Sequence, residues 1–269
     1  MAEDEAVTTE EAWRLRGGSI VPERAQVIVE EPLQIIIDGT PYAVLMRTPG
    51  DDVHLAAGFC LTEGLVDSSA HIGAIASCPQ EDVNSVAVTR AGAPAATELR
   101  PPSMAVRSSC GLCGREQIDD LVRRLPRIES GFQISSAQLL ALGRRMQEGQ
   151  TYFQPTGGTH AAALFDASGE LLTLAEDVGR HNALDKAIGR LLLSDSLARA
   201  ATAVLSGRCS FEMIQKAARA GIPLVASVSA PTHLAIALAK RLGLTLVGFL
   251  RERSLTVYAG EGRVQDLSG

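Results

Sequence analysis

The chain is 269 residues long, room for one large domain or two small ones, and its 46% hydrophobic and 21% charged content excludes wholesale disorder. Aromatic residues make up only 4%, so a core has to be assembled from Ala, Leu, Val and Ile. Lys and Arg number 25 against 31 Asp and Glu, a net charge of -6, which leaves no global basic field for nucleic acid; an anionic ligand must be met by a local cluster of cations or by backbone N–H groups.

Residues 1–20 are charged and aperiodic and read as a flexible tail. The acidic start, Met1 to Glu5, has no apolar run behind it and does not resemble a signal peptide. A β-rich N-terminal part is expected over 21–107. Val27 to Val29, Leu33 to Ile37 and Tyr42 to Met46 are strand runs, with a hairpin turn at Asp38-Gly39. Asp51-Asp52 caps a helix reaching about Gly64, and Asn84 to Arg90 is a further strand. The stretch from Ala91 to Pro102, rich in Ala, Gly and Pro, is a connection.

Residues 108–129 hold a Cys-x-x-Cys loop and then a helix in which Ile118, Leu121, Val122 and Leu125 share one face before Pro126 stops it. From 130 to 269 helix and strand alternate. Ser135 and Gln138 form a capping box for a helix over Leu139 to Gln147. Strands follow at Ala161 to Asp166 and Leu171 to Ala175, then helix Ala183 to Leu193, strand Ala203 to Leu205 and helix Ser210 to Ala220, which Gly221 stops. The remaining elements are strand Leu224 to Val228, helix Thr232 to Leu242, strand Leu244 to Leu250 and strand Leu255 to Tyr258. This alternation predicts a layered α/β core. The longest apolar stretch, Pro231 to Leu250, is broken by Lys240 and Arg241, so no membrane insertion is expected and the compartment is read as the cytoplasm. Five cysteines, an odd number in so long a chain, fit reduced thiols better than a disulfide framework.

The sharpest chemical feature is Ser108-Ser109-Cys110-Gly111-Leu112-Cys113-Gly114. Its glycines deny the thiols side-chain cover, and the helix start behind it, with Arg115, favours a thiolate, the form that attacks sulfur. A structural or redox pair is the plainer reading of the same residues. Zinc is not expected, because Cys60, Cys78 and Cys209 supply no second close pair and the deaminase pattern His-x-Glu is missing. Gly157-Gly158, before Thr159 and His160, suits either a tight turn or close backbone approach to a ligand. Glu176 to Asn182 packs Asp177, Arg180, His181 and Asn182 between a strand and a helix, where ligands of α/β sheets bind; capping and solvated charge is the alternative. Gly207 and Arg208 open a helix in a way that favours phosphate, although no Walker pattern is present. Ser229 repeats that strand-to-helix grammar. Phe249, Leu250, Arg251, Glu252, Arg253 and Ser254 leave a strand with two cations and an aromatic ring, a pattern that solubility alone also explains. His54, His71 and His233 stand isolated, and Cys60 is expected as buried filler on an apolar helix.

Together these segments resemble the FdhD family of formate dehydrogenase accessory sulfur carriers. The matching stretches run in order through residues 108–116, 155–166, 176–189, 206–218, 227–232 and 244–258, with a weaker match at Glu63-Gly64-Leu65. Cys209 and His233 depart from it, standing where small residues are expected. The resemblance implies a cytidine-deaminase-like layered α/β core, a homodimer and a sulfurtransferase activity. A cysteine desulfurase would load a persulfide onto Cys110, with Cys113 in support. The sulfur would pass to the molybdenum of the bis-molybdopterin guanine dinucleotide cofactor before insertion into formate dehydrogenase. It also implies a dinucleotide pocket that GDP partly mimics, with the strand exit at Phe249 to Ser254 as part of it. Read from residues alone, a nucleotide-binding regulatory module with a Cys-x-x-Cys redox switch and a cryptic zinc hydrolase remain the competing functions.

Overall fold

Asp38 and Gly39 both take positive φ, 49° and 78°. That is the geometry of a two-residue hairpin turn matched to strand twist. The structure, a computed structural model, describes residues 6–77, 84–92 and 125–266. Strands β3 (Glu31–Ile37) and β4 (Thr40–Arg47) flank the turn, and Leu33, Ile35 and Ile37 alternate into the core. β6 (Asn84–Arg90) runs parallel to β3 on its other side, and β5 (Ile72–Ser77) closes a four-stranded sheet ordered β4-β3-β6-β5.

The tail expected over residues 1–20 is corrected. β1 (Val7–Arg16) pairs residue for residue with β2 (Ser19–Ile28) through Gly17-Gly18, both at positive φ. Backbone pairing needs no apolar face, and these strands have almost none in the core, so no alternation marks them. Their charges pair across the hairpin instead, with Arg14 2.6 Å and Arg16 3.3 Å from Glu23.

The second half is a six-stranded sheet ordered β12-β11-β10-β9-β7-β8. Its strands are β7 (His160–Asp166), β8 (Leu171–Asp177), β9 (Ala200–Leu205), β10 (Leu224–Ser227), β11 (Thr245–Gly248) and β12 (Thr256–Ala259). β9, β10 and β11 are parallel; β7 lies antiparallel to both β8 and β9. Successive residues of a strand face opposite sides of a sheet. Ala161, Ala163 and Phe165 therefore meet one helix, α2 (Ser136–Glu148), through Leu139, Leu142 and Met146. Ala162 and Leu164 face the other layer, built from α4 (Arg180–Leu193), α5 (Phe211–Arg219) and α6 (His233–Leu242). α2 opens with the expected capping box, Ser135 and Gln138 each bonded to the other's backbone N–H. A short helix, α3 (Phe153–Thr156), precedes β7.

The two halves share one core. α1 (Asp52–Thr62) lies between the four-stranded sheet and α4, and its Leu55 and Phe59 belong to the cluster that holds both Ile35 and Ile188. The helices cross closely because Gly58 and Gly189 lack side chains: a methyl on Gly58 would overlap the Asp185 carbonyl, and one on Gly189 that of His54. Beside this crossing Lys216 Nζ lies 2.8 Å from Asp185 Oδ2, 2.9 Å from Thr62 Oγ1 and 3.2 Å from Glu63 Oε1. Burial alone would push this lysine down, but the two carboxylates reverse the effect and raise it above its usual range. Among the described residues no helix is long and apolar enough to cross a membrane. The helix expected after Gly114 and most of the connection after Ala91 lie outside the described residues.

Candidate functional site

Five of the polar turns singled out in the sequence meet along one edge of the six-stranded sheet. The C-terminal ends of β9, β10 and β11 point to this edge. Because β7 is antiparallel to β9, the start of β7 and the end of β8 arrive there too, with His160 opposite Asp177 and Ala162 opposite Leu205. Ligands of α/β sheets bind outside the carboxyl ends of strands, where helix N-termini supply N–H groups. Hydrogen bonds tie the turns together. Ser227 Oγ donates to the Gly207 carbonyl at 2.6 Å, the Ser229 N–H donates to Ser227 Oγ at 3.2 Å, and the Phe249 N–H donates to the Ser229 carbonyl at 3.1 Å. Cys209 joins them from the other side, its N–H on the Ala230 carbonyl and its carbonyl taking the Thr232 N–H.

At the β7–β8–β9 end of this edge the side chains are cationic. His160 packs against the turn at Gly207, where a methyl would come within 3.1 Å of its Nδ1 and 3.8 Å of Arg180 Cβ. Burial, then the charges of Arg180 and His181, hold the His160 imidazole below its usual pKa, and Arg208 adds to this. His160 is therefore a neutral ring among cations. His181 Nε2 lies 2.7 Å from Glu212 Oε2, the acid facing this group from α5. The contact with His181 keeps Glu212 ionised below the ordinary carboxylate range, against the opposing effect of burial. Glu212 was not among the residues selected from sequence. Its only local signal is that of an acid in the first turn of a helix, which reads as a response to the helix dipole.

Further along the edge, Phe249 is half-buried with φ of 51°, and the Arg251 guanidinium carbon stands 5.6 Å from the centre of its ring. The Arg251 N–H closes a turn on the Ser254 carbonyl. Arg251, Glu252, Arg253 and Ser254 are exposed. Glu252 and Arg253 diverge from the cationic group and line a cavity of about 470 Å³ with Arg144, Gln147 and Glu148 of α2. Leu250 belongs to the core under α2, 1% exposed, and offers a ligand only its backbone.

The segment Glu176 to Asn182 divides between frame and cleft. Asp177 is fully buried; it accepts from the Thr48 and Gly179 N–H groups and from Asn182 Nδ2, and it pairs with Lys186 Nζ at 2.7 Å. Asn182 also donates to the Met46 carbonyl at 2.8 Å. Both residues thus bind β4 and its corner to α4. Glu176 accepts from the N–H groups of Thr151, Tyr152 and Phe153 and from Thr159 Oγ1, fixing α3 and the approach to β7. Arg180 and His181 remain half-exposed at the cleft. Gly157 and Gly158 are exposed, and Gly158 passes so close to β2 that a methyl would fall 2.6 Å from Ile28 Cγ2.

Cys110, Cys113 and Cys78 lie outside the described residues. Cys60 and Cys209 are buried thiols, each pushed up to about 12 by burial, so they stay protonated and unreactive. Among the described residues no three His, Cys, Asp or Glu side chains come together as a metal site.

Residues 28–265 match the FdhD/NarQ family. The chain is 44% identical over 263 residues to the sulfur carrier protein FdhD of Streptomyces avermitilis, covering 93% of each chain. It is 39% identical over 242 residues to the protein of the same name from Saccharolobus solfataricus, covering 88% of this chain and 90% of that one. Its fold matches the crystal structure of a protein from Desulfotalea psychrophila described as a formate dehydrogenase accessory protein. The TM-score is 0.78 at 25% identity, over 97% of this chain and all of that one.

Proposed function

The chain belongs to the FdhD/NarQ family, and from that premise we propose that it is a sulfur carrier serving the maturation of formate dehydrogenase. In this reading the Cys110 thiolate attacks the outer sulfur of a cysteine desulfurase persulfide. The donor's S–S bond breaks, its cysteine leaves as thiolate, and Cys110 holds the persulfide. Cys113 then attacks the Cys110 sulfur, forming a Cys110–Cys113 disulfide and expelling the carried atom as hydrosulfide. The two thiols supply the two electrons that reduce it. The acceptor is the molybdenum of the bis-molybdopterin guanine dinucleotide cofactor, bound as substrate, and a cellular dithiol resets the pair by exchange. We extend the reading to a homodimer working in the cytoplasm, where thiols stay reduced.

The observation that carries this function is the sheet edge. An acidic chain gathers Arg180, His181 and Arg208 around a neutral His160 at the ends of adjacent strands, with Phe249 and Arg251 further along. Anionic phosphates suit the cations and helix N-termini, and a purine suits the aromatic face. Intact-mass spectrometry after incubation with a desulfurase and cysteine tests the sulfur step. Wild type should gain one sulfur atom that reductant removes. Cys110→Ala should lose the adduct and the activation of formate dehydrogenase; a full adduct on that variant would move the carrier role to another thiol.

A further inference from the structure

Ser227 ends β10 and is fully buried, yet it reaches the turns after all three parallel strands. Its hydroxyl donates to the Gly207 carbonyl at 2.6 Å, in the turn after β9. The same oxygen accepts the Ser229 N–H at 3.2 Å, in the turn after its own strand. Its carbonyl takes the Leu250 N–H at 2.9 Å, beyond the end of β11. The Gly207 carbonyl and the Arg208 N–H belong to one trans peptide plane, in which the two groups point in opposite directions. A hydroxyl in the core that holds the carbonyl inward therefore turns the Arg208 N–H outward. Arg208 is exposed, and its N–H finds no acceptor among the described residues. Gly207 backs onto His160 and Arg180, so this N–H belongs to the cationic end of the cleft. At the aromatic end, Phe249 is held by backbone bonds, its N–H on the Ser229 carbonyl and that of Leu250 on the Ser227 carbonyl.

We propose that Ser227 is a positioning residue of the strand-end cleft: its hydroxyl sets the Gly207–Arg208 peptide so that the Arg208 N–H donates to a phosphate of the ligand. The inference rests on the reading of this cleft as the dinucleotide site and adds to it a residue that does not itself touch the ligand. Backbone N–H groups of this kind bind phosphate only while their peptide is held in one orientation. The hydroxyl serves the phosphate end. The aromatic end depends on backbone bonds that Ser227→Ala keeps.

The test is calorimetric titration of the full chain with GDP, and with guanosine by displacement of GDP, in wild type, Ser227→Ala and Thr245→Val. Positioning predicts that Ser227→Ala loses about tenfold in affinity for GDP, the scale of one hydrogen bond, and keeps its affinity for guanosine, which has no phosphate. Thr245→Val removes another fully buried hydroxyl of the same sheet. That hydroxyl donates to the Gly260 carbonyl at 2.9 Å from the start of β11, the end away from the cleft. Its loss should lower the urea midpoint and leave both ligands unchanged. A loss of GDP but not of guanosine, in one variant but not the other, is a split that a merely structural hydroxyl would not produce. Ser227→Cys, which keeps only a weak donor, should also weaken GDP, and it carries the test should Ser227→Ala fail to fold. Unchanged GDP affinity in Ser227→Ala, guanosine falling as far as GDP, or an equal GDP loss in Thr245→Val overturns the proposal while leaving the cleft as the ligand site. Wild type that does not bind GDP at all overturns the reading of the cleft, and the proposal with it.

Discussion

Phe249 occupies the left-handed region of backbone space at φ 51°, a conformation that costs a residue other than glycine on the order of 1–3 kcal/mol. The surrounding hydrogen bonds hold it there: its N–H is fixed on Ser229 and that of Leu250 on Ser227. The result turns the chain sharply at the end of β11, setting Phe249 at the cleft with Arg251 over its ring. Losing one Arg–phosphate hydrogen bond removes about 1.5–3 kcal/mol. Arg251→Ala should therefore weaken GDP roughly ten- to a hundredfold, and ADP should bind less well than GDP throughout. Calorimetry with both nucleotides measures this; no effect of Arg251→Ala would move the phosphates toward Arg208 and α5. Sequence grouped Asp177, Arg180, His181 and Asn182 as equals, and burial separates them. Asp177 and Asn182 spend their polar atoms on Thr48, Lys186 and Met46, whereas Arg180 and His181 stay half-exposed, His181 with its Nε2 against Glu212.

Among the elements, the α1–α4 crossing is the hinge between the two sheets, and two glycines permit it. Gly58→Ala or Gly189→Ala forces a methyl onto a backbone carbonyl that cannot turn aside, and overpacking of this kind costs about 1–3 kcal/mol or more. Gly262→Ala, where nothing lies within 4 Å and φ is ordinary, should change stability by less than about 0.5 kcal/mol. Urea denaturation of the three variants compares them; equal midpoints would mean that the helices separate at little cost. This contact was not legible in the sequence. Gly58 sits in an apolar helix beside Cys60, and nothing within α1 says that α4 arrives on that side. The hairpin at Asp38-Gly39 was legible, because its geometry depends on two residues and the strands they join.

Across the whole molecule, acid should unfold the chain through a few carboxylates. Burial pushes Asp51 up, but the Arg190 guanidinium and His54 outweigh it and hold its carboxyl below the usual value of 3.8. Asp38 is lowered in the same way, by Arg90 against burial. A carboxylate depressed in the folded state binds fewer protons there than in the unfolded chain. Its stabilising effect is thus complete above the unfolded value and is lost as pH falls through that value toward the folded one. The urea midpoint should hold near neutral pH and drop below about pH 4. Asp51→Asn, which breaks the link from the start of α1 to α4, should lower the neutral midpoint and flatten the acid limb. An acid limb as steep as that of wild type would assign the effect to other groups.

Features that depend on near neighbours were legible along the chain. The capping box at Ser135, the stop at Gly221 and the strand at Asn84 to Arg90 each rest on a few adjacent residues, and each stands where it was read. The alternation of helix and strand likewise determined the α/β layering, because period and turn chemistry act along the chain. Tertiary structure alone decided that the first twenty residues hold a strand, since pairing supplied what an apolar face did not. It alone decided that Asp177 clasps β4, and that Glu212 meets His181. Those contacts join groups far apart in sequence and arise only from the order of strands in the sheet, which brings several turns to one edge and leaves each side chain there either enclosed or facing the cleft.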